Sequence, residues 1–226
     1  SSDVCSSDLY SQSAFEYYAN CTWFDESVGE LISYIKGKGL FENTLFIYIN
    51  DNGWEQEPTQ EFYNDPMRSH NGGDKGKLSV FDQSYKTPII FSWKNKIAQN
   101  INIDDLIHSA DIPATILDFA GLNNYKMNHG ISYKSVIERK REGPRTIIIG
   151  NSNKIRDEKD PMGRDVKAYW SRNKDWFYKI NLTDQTNALY NIKDDPFCTK
   201  NIILENPHIS LEFLNKISQR YQKVMF

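Results

Sequence analysis

The fold class is decided by Thr44-Leu-Phe-Ile-Tyr-Ile-Asn50, the stretch that runs directly into Asp51-Asn52-Gly53. Its β-branched and aromatic residues follow one another without polar alternation, which predicts a parallel strand covered on both faces by helices. Ligands of open α/β sheets collect beyond the carboxyl ends of the strands, so Asp51 and Asn52 stand in a candidate site. Their carboxylate and amide oxygens suit a hard cation such as Ca²⁺ or Mg²⁺, although the same tripeptide is also typical of a simple turn.

A long helix is predicted before this strand, from Ser13 to Lys38, and Gly39 supplies a left-handed stop. Apolar residues recur along it at steps of three and four, which indicates one buried face. The residues of this face are Tyr17, Cys21, Phe24, Val28, Leu31 and Ile35.

The alternation of helix and strand continues after it. Pro88–Trp93 and Arg145–Gly150 are predicted strands, and Ser109–Gly121 is a predicted helix with capping candidates and a terminal glycine. The apolar face of that helix runs through Ile116, Leu117 and Phe119. This order predicts an α/β sheet flanked by helices over residues 10–150.

The pattern changes after a polar, turn-rich stretch at 151–165. Three short strands at 166–172, 175–181 and 187–192 predict a small antiparallel sheet. A helix that Pro207 opens is predicted to lie across this sheet. Its apolar stripe consists of Ile209, Phe213, Leu214, Ile217, Tyr221 and Val224. Residues 151–226 are therefore predicted to form a second, α+β subdomain.

The composition excludes several classes of function. The 27 basic and 30 acidic residues give a formal net charge of −3, so the molecule has no basic field that would attract nucleic acid. A mean hydropathy of −0.64 leaves no room for a membrane span. The 3 cysteines are too few and too scattered for a disulfide framework or a zinc cluster. Residues 1–9 lack the pattern of a signal peptide and are interpreted as a non-native scar.

The polar stretch from Trp54 to Lys77 is too long for an ordinary connection, and loops of that length often carry function. Lys77 follows a glycine-rich segment and offers an ammonium for an anionic oxygen, with Lys75 as its competitor and a solvated loop lysine as the plain alternative. His70 and Arg68 are further candidates in the same stretch. The remaining histidines have no ligand spacing and are interpreted as structural: His108, His129 and His208.

Read together, six segments resemble the type I sulfatases of the alkaline phosphatase superfamily, over about residues 13–222. They occur in the order of that family and at compatible distances. The segments are Trp23–Leu31, Ile49–Trp54, Lys77–Trp93, Asp111–Leu122, Gly130–Ser132 and Leu189–Pro196. The resemblance implies the second half of an alkaline-phosphatase-like catalytic domain with a mixed sheet, followed by the C-terminal subdomain.

The resemblance also implies roles for individual residues. Asp51 and Asn52 would be ligands of one divalent cation, usually Ca²⁺, and Lys77 rather than Lys75 would contact the sulfate. Apart from the resemblance, Arg68, His70 and Trp54 are candidates to line the substrate entrance. One departure lies behind the site, where the family's Glu-Gly-Gly-x-Arg reads Asp82-Gln-Ser-Tyr-Lys86.

The family's nucleophile is a formylglycine hydrate made from Cys/Ser-x-Pro-x-Arg, and none of the 8 prolines here has the required cysteine or serine two residues before it. We interpret the chain as the C-terminal portion of a sulfatase acting on a sulfated small molecule or glycan, inactive alone, with apolar helix faces left exposed. A periplasmic or secreted location follows from the resemblance only. The alternatives are a phosphate or phosphonate ester hydrolase of the same superfamily, which Asn52 disfavours, and a non-catalytic protein that binds sulfated glycans.

Overall fold

A computed structural model describes residues 12–53, 75–76, 79–122, 124–125, 127–153 and 166–221. Among these, residues 12–50 and 88–99 form one compact unit and the others form a second. The predicted scar at residues 1–9 lies outside the described residues. In the described part of the chain, no helix is long and apolar enough to cross a membrane.

The first unit consists of helix α1 (Gln12–Gly37), a 3₁₀ turn (Phe41–Asn43) and strands β1 (Phe46–Ile49) and β2 (Ile89–Ser92). The predicted helix is confirmed, and Gly39 ends it with a φ of 71°, the left-handed conformation that glycine adopts without strain. Phe41 and Phe46 pack together behind this turn, with ring centroids 5.7 Å apart.

β1 pairs with β2 antiparallel, from Phe46 opposite Ser92 to Ile49 opposite Ile89. The prediction that the Thr44–Asn50 stretch forms a parallel strand is therefore wrong for this pair. A continuous apolar run shows that a strand is covered, but the direction of its neighbour depends on a segment about forty residues away. Within β1, the residues from Phe46 to Tyr48 are half-buried and Ile49 is exposed.

The predicted apolar face of α1 is only partly covered within this unit. Val28 and Ile35 are half-buried, whereas Tyr17 is 63% exposed, Phe24 is 52% exposed and Leu31 is 53% exposed. The Phe24 ring contacts Tyr48 of β1, with centroids 5.9 Å apart. The expectation that an apolar helix face is left exposed is thus met by α1.

Within the described residues, the second unit contains four further helices and four further strands. The helices are α2 (Asp82–Tyr85), α3 (Asp111–Phe119), α4 (Lys134–Ile137) and α5 (Pro207–Tyr221). The strands are β3 (Ile148–Asn153), β4 (Val166–Arg172), β5 (Trp176–Asn181) and β6 (Asn187–Asn191).

These strands form one antiparallel sheet in the order β3-β4-β5-β6. The predicted antiparallel sheet after residue 165 is confirmed. β3, which the helix-strand alternation had placed with the preceding α/β layer, instead pairs with β4. The sequence of a short strand does not show which sheet the strand joins. Here β3 joins the sheet of the strand that follows it in the chain.

The sheet is covered on both faces, because Phe177 and Tyr178, consecutive residues of β5 that point to opposite faces, are both buried. On one face Tyr178, Ile180 and Leu189 pack against Phe213 and Ile217, the buried residues of α5, so the predicted position of this helix is confirmed. The other face presents a second buried cluster, made of Phe81, Phe177, Ala188, Tyr190, Ile192 and Cys198. Because Phe81 precedes α2 directly, this cluster fixes α2 on the sheet.

The predicted helix over Ser109–Gly121 is confirmed as α3, but its buried face differs from the expected one. Asp111 and Thr115 are fully buried, whereas Ile116 is 42% exposed. Leu117 and Phe119 of the predicted face are half-buried, and hydrogen bonding, described below, buries the two polar residues that the apolar pattern left out.

Candidate metal and substrate site

Asp51 and Asn52 follow β1 in the chain and are held by hydrogen bonds within their own turn. The Asn52 N–H donates to Asp51 Oδ1 at 2.9 Å. The Asn52 side-chain Nδ2 donates to the Gly53 carbonyl at 2.8 Å. Since the amide nitrogen is engaged, the oxygen is the end of the Asn52 side chain that remains for a ligand.

Gly53 docks this turn against α2. Its N–H donates to the Ser84 carbonyl oxygen at 2.7 Å. A β-carbon added to Gly53 would lie 2.1 Å from the Gln83 carbonyl oxygen, so the close approach of the two main chains requires glycine. The turn therefore has a rigid support, because α2 is itself packed on the sheet through Phe81.

The donor types suit a hard cation, since consecutive residues of a supported turn carry one carboxylate and one amide oxygen. Two donors fall short of the roughly six to eight that calcium takes. Within the described residues, no group of three or more His, Cys, Asp or Glu side chains surrounds a common point. The two residues would thus fit one part of a calcium site, which would need further oxygen ligands from outside this turn.

Lys77, His70 and Arg68, the predicted substrate-contacting residues, lie outside the described residues, as does Trp54. Their position relative to Asp51 and Asn52 stays a prediction. The competing lysine is described: Lys75 Nζ donates to the carbonyl oxygens of Phe197 at 2.7 Å and Cys198 at 3.0 Å. Its ammonium therefore ties the chain to the loop after β6.

α2 carries the departure noted in the sequence, and its residues are engaged with β4. Asp82 Oδ2 pairs with Arg172 Nη2 at 3.1 Å, and the Tyr85 hydroxyl donates to Asp82 Oδ1 at 3.1 Å. The Tyr85 ring stacks on Trp170 with centroids 4.5 Å apart. Burial, and then the charge of Asp82, raise the pKa of the Tyr85 hydroxyl, which stays protonated as a donor.

A polar network around Asp111 is the feature that sequence reasoning missed. Arg145 Nε and Nη2 donate to Asp111 Oδ2 and Oδ1 at 2.6 and 2.5 Å. The main-chain N–H groups of His108 and Ile131 donate to the same carboxylate, each at 2.8 Å. Burial alone would raise the pKa of Asp111, but the bonds from Arg145, Ile131 and His108 lower it.

This network joins three segments of the chain, which contain His108, Ile131 and Arg145. The nearby Thr115 extends it, since its hydroxyl donates to the Asp111 carbonyl at 2.7 Å and accepts the Tyr133 N–H at 2.9 Å. His108 Nδ1 accepts the Ala110 N–H at 3.0 Å, in keeping with the structural role expected of that histidine. Asp111 and Arg145 are 34 positions apart, and no sequence pattern indicates that their side chains are in contact.

Comparisons with known proteins agree with the fold and the order of the motifs. A family model described as Sulfatase matches residues 2–122. A second, described as N-sulphoglucosamine sulphohydrolase, C-terminal, matches residues 73–224. The two models together span almost the whole chain.

Individual relatives match over most of the chain but only part of their own length. Arylsulfatase K of Bos taurus is 25% identical over 221 residues, which is 92% of this chain and 37% of the relative. The structure of BT4656 in complex with its substrate D-glucosamine-2-N,6-O-disulfate has a TM-score of 0.69 at 22% identity, covering 88% of this chain and 38% of that one. A putative sulfatase from Bacteroides fragilis has a TM-score of 0.72 at 21% identity, covering 92% and 42%. The likeness confirms the predicted fold class, and the chain spans less than half the length of these relatives.

Proposed function

Because this chain belongs to the sulfatase family, we propose that it carries metal-binding and sulfate-contacting residues of a sulfuric ester hydrolase. The substrate class we propose is a sulfated small molecule or glycan. The Asp51-Asn52 pair carries the proposal, because Gly53 holds it against α2 and the bond from Asn52 Nδ2 to the Gly53 carbonyl orients the amide oxygen.

Each candidate residue has a task in this proposal. Asp51 and Asn52 contribute oxygen ligands to one Ca²⁺ ion. When bound, the ion supplies a Lewis acid that neutralises negative charge on sulfuryl oxygens. The ammonium of Lys77 contacts the same oxygens, and His70 and Arg68 line the entrance.

The choice of Lys77 over Lys75 has support from the described residues. The Lys75 ammonium already donates to two carbonyl oxygens in the loop after β6. Drawing it toward a sulfate would break both bonds, whereas Lys77 stands at the position that the family motif requires. We therefore assign the sulfate contact to Lys77 and a structural role to Lys75.

The nucleophile belongs to another part of the proposed enzyme. The Cys/Ser-x-Pro-x-Arg motif that yields formylglycine does not occur in this sequence. We therefore propose that the 226-residue chain binds calcium weakly and does not hydrolyse aryl sulfates by itself.

Two other functions remain as candidates. A phosphate or phosphonate ester hydrolase of the same superfamily would use two zinc ions, for which a histidine beside Asp51 is the expected ligand in place of the Asn52 amide. A non-catalytic protein that binds sulfated glycans would keep the Lys77 contact, and the absence of the nucleophile motif from this sequence favours it.

Calcium-dependent binding of a sulfated sugar tests the proposal. Isothermal titration of the chain with D-glucosamine 6-sulfate, with and without Ca²⁺, should show tighter binding with Ca²⁺, and unsulfated D-glucosamine should not respond to the metal. Asp51→Asn and Lys77→Gln should each weaken the calcium-dependent binding by about tenfold, as expected for a lost charged partner.

Lys75→Gln is the matched control, because it removes the same charge two residues away. We expect it to lower thermal stability through the lost carbonyl contacts and to leave the sugar affinity unchanged. Equal binding with and without Ca²⁺, or loss of binding in Lys75→Gln but not in Lys77→Gln, would contradict the proposal. Hydrolysis of an aryl sulfate by the purified chain would refute the assignment of the nucleophile to another part of the enzyme.

A further inference from the structure

Helix α2 contacts two parts of the second unit, and its residues divide between them. The two middle residues, Gln83 and Ser84, meet Gly53 of the candidate metal-binding turn through main-chain atoms. The two end residues, Asp82 and Tyr85, direct their side chains to β4. A change in the contacts between α2 and β4 would therefore move the carbonyl oxygens on which Gly53 rests.

An ion pair fixes the first residue of α2 on β4. Asp82 Oδ2 lies 3.1 Å from Arg172 Nη2, and the two side chains are only 16% and 15% exposed. The other oxygen of Asp82 accepts the Tyr85 hydroxyl at 3.1 Å. Because little water reaches this pair, it is screened less than an ion pair on the surface.

A ring stack fixes the last residue of α2. The Tyr85 and Trp170 rings have centroids 4.5 Å apart and are inclined by 12° to each other. On β3, Gly150 is the partner of Trp170 in the strand register. A β-carbon on Gly150 would collide with the indole, so glycine at this position leaves the space that Trp170 occupies. The stack thus rests on the main chain of β3.

We propose that Trp170 and Arg172 are positioning residues for the candidate metal site. They act through α2, which the ring stack and the ion pair hold against the sheet. The Ser84 carbonyl of this helix accepts the Gly53 N–H at 2.7 Å and so holds the turn that carries the Asp51-Asn52 pair. The inference rests on the metal-binding role proposed above for that pair.

The test measures the turn without metal and the metal affinity separately, both on the 226-residue chain. Hydrogen exchange of the Gly53 N–H, followed by NMR in the metal-free chain, reports on the bond to Ser84. Titration with Tb³⁺ reports on the metal site. Trp170→Leu removes the ring stack and Arg172→Met removes the charge. Each should accelerate the exchange and weaken terbium binding, both by about tenfold.

Conservative variants of the same two residues should retain the positioning role. Trp170→Phe keeps a ring against Tyr85. Arg172→Lys keeps a cation beside Asp82, which contacts a single terminal nitrogen of the guanidinium. In both measurements these variants should lie closer to the wild type than to Trp170→Leu and Arg172→Met. Equal effects of the conservative and the disruptive variants would contradict the proposal.

Phe213→Leu is the control for a merely structural role. Phe213 is a buried residue of α5 on the opposite face of the same sheet, so this substitution lowers stability without touching α2. Its exchange rate at Gly53 and its terbium affinity should stay within about twofold of the wild type. If it accelerated the Gly53 exchange as much as Trp170→Leu and Arg172→Met do, overall stability would account for the effect and the proposal would be overturned.

Asp51→Asn separates this inference from the proposed function. If Asp51→Asn weakens terbium binding but Trp170→Leu and Arg172→Met bind terbium as the wild type does, the metal site stands and the positioning role is overturned. If Asp51→Asn leaves terbium affinity unchanged while the other two variants accelerate the Gly53 exchange, the ligand assignment fails and the support of the turn by β4 is upheld. Should Trp170→Leu fail to fold, Tyr85→Leu removes the same stack from the side of α2 and must give the same result.

Discussion

Gly53 is in main-chain contact with Gln83: a β-carbon on Gly53 would lie 2.1 Å from the Gln83 carbonyl oxygen. The neighbouring Ser84 carbonyl accepts the Gly53 N–H at 2.7 Å. The main chain fixes the position of a β-carbon, so no side-chain rotation could relieve this contact. The placement of Asp51 and Asn52 therefore depends on the absence of a side chain at position 53.

Substituting alanine for Gly53 should displace the turn. We expect the chain to lose about 1–3 kcal/mol of stability, as for other overpacked sites. The affinity for Tb³⁺, used as a luminescent substitute for Ca²⁺, should fall about tenfold because Asp51 and Asn52 move with the turn. Thermal unfolding and terbium titration measure the two effects.

Gly29→Ala provides the matched control for that substitution. Gly29 lies in α1, and an added β-carbon there meets no heavy atom within 4 Å. Alanine is the better helix former, so stability should rise by up to about 1 kcal/mol with terbium affinity unchanged. If Gly53→Ala behaved in the same way, the supporting role of the Gly53–Gln83 contact would be wrong.

Removing the charge of Asp111 should be strongly destabilising. The side chain is fully buried and paired with Arg145, so Asp111→Asn leaves a partly buried guanidinium without its partner, at a loss of about 3 kcal/mol. Asp118→Asn on the same helix is the comparison, because its 31% exposed carboxylate makes fewer contacts and should matter by about 1 kcal/mol. Urea denaturation at neutral pH measures both losses of stability. Equal losses in Asp111→Asn and Asp118→Asn would contradict this prediction.

Acid should weaken the fold through the same carboxylate. The pKa of Asp111 is lowered in the folded state, so its ionised form contributes stability that is complete above the unfolded value of about 3.9. That contribution disappears as the pH falls from about 3.9 through the folded pKa. The free energy of unfolding, measured from pH 6 downward, should therefore fall less steeply in Asp111→Asn than in the wild type. Parallel curves would count against this linkage.

Protonation of His108 should weaken the fold at a higher pH than protonation of Asp111 does. Burial, and then the charge of Arg145, lower the pKa of its imidazole. The neutral form thus stabilises the fold above about pH 6.5, and this stability is lost as the pH falls toward the lowered pKa. In His108→Gln, the loss of stability between pH 7 and the onset of carboxylate titration should be absent. A histidine NMR titration that gives an ordinary or raised pKa would exclude this explanation.

The exposed face of α1 should make the chain self-associate. Trp23 is 69% exposed and Phe24 is 52% exposed, next to other uncovered aromatic residues of the same helix. Contiguous apolar surface of this kind favours association. The double substitution Trp23→Glu and Phe24→Glu should therefore lower light scattering and raise the solubility of the chain.

Leu211→Glu is the control for the effect of added charge. Leu211 is 56% exposed but lies on α5, whose opposite side is already packed on the sheet. This substitution should leave scattering nearly unchanged. Equal improvement in both variants would show that added net charge, and not the α1 face, governs association.

Much of the fold follows from local patterns that the sequence displays. The helical repeat with Gly39 predicts α1 and its end, and the stripe through Phe213 and Ile217 predicts how α5 packs. Strand positions were also predictable, but the partners of β1 and β3 were not. Periodicity reports which face of an element is covered, and it carries no information about the direction or identity of the neighbour.

The candidate site likewise has features that the sequence predicts and features that only the folded structure shows. The Asp51-Asn52 pair, the glycine after it and the family motifs are each contiguous in the chain, so the sequence alone determines the family and indicates which residues are candidate ligands. Only tertiary structure decides that Gly53 rests on α2, that Lys75 is occupied by carbonyl oxygens, and that Asp111 meets Arg145. Each of these contacts joins residues more than thirty positions apart, or main-chain atoms that every residue type possesses. The free energy of such a contact depends on burial and geometry, which exist only after the chain has folded.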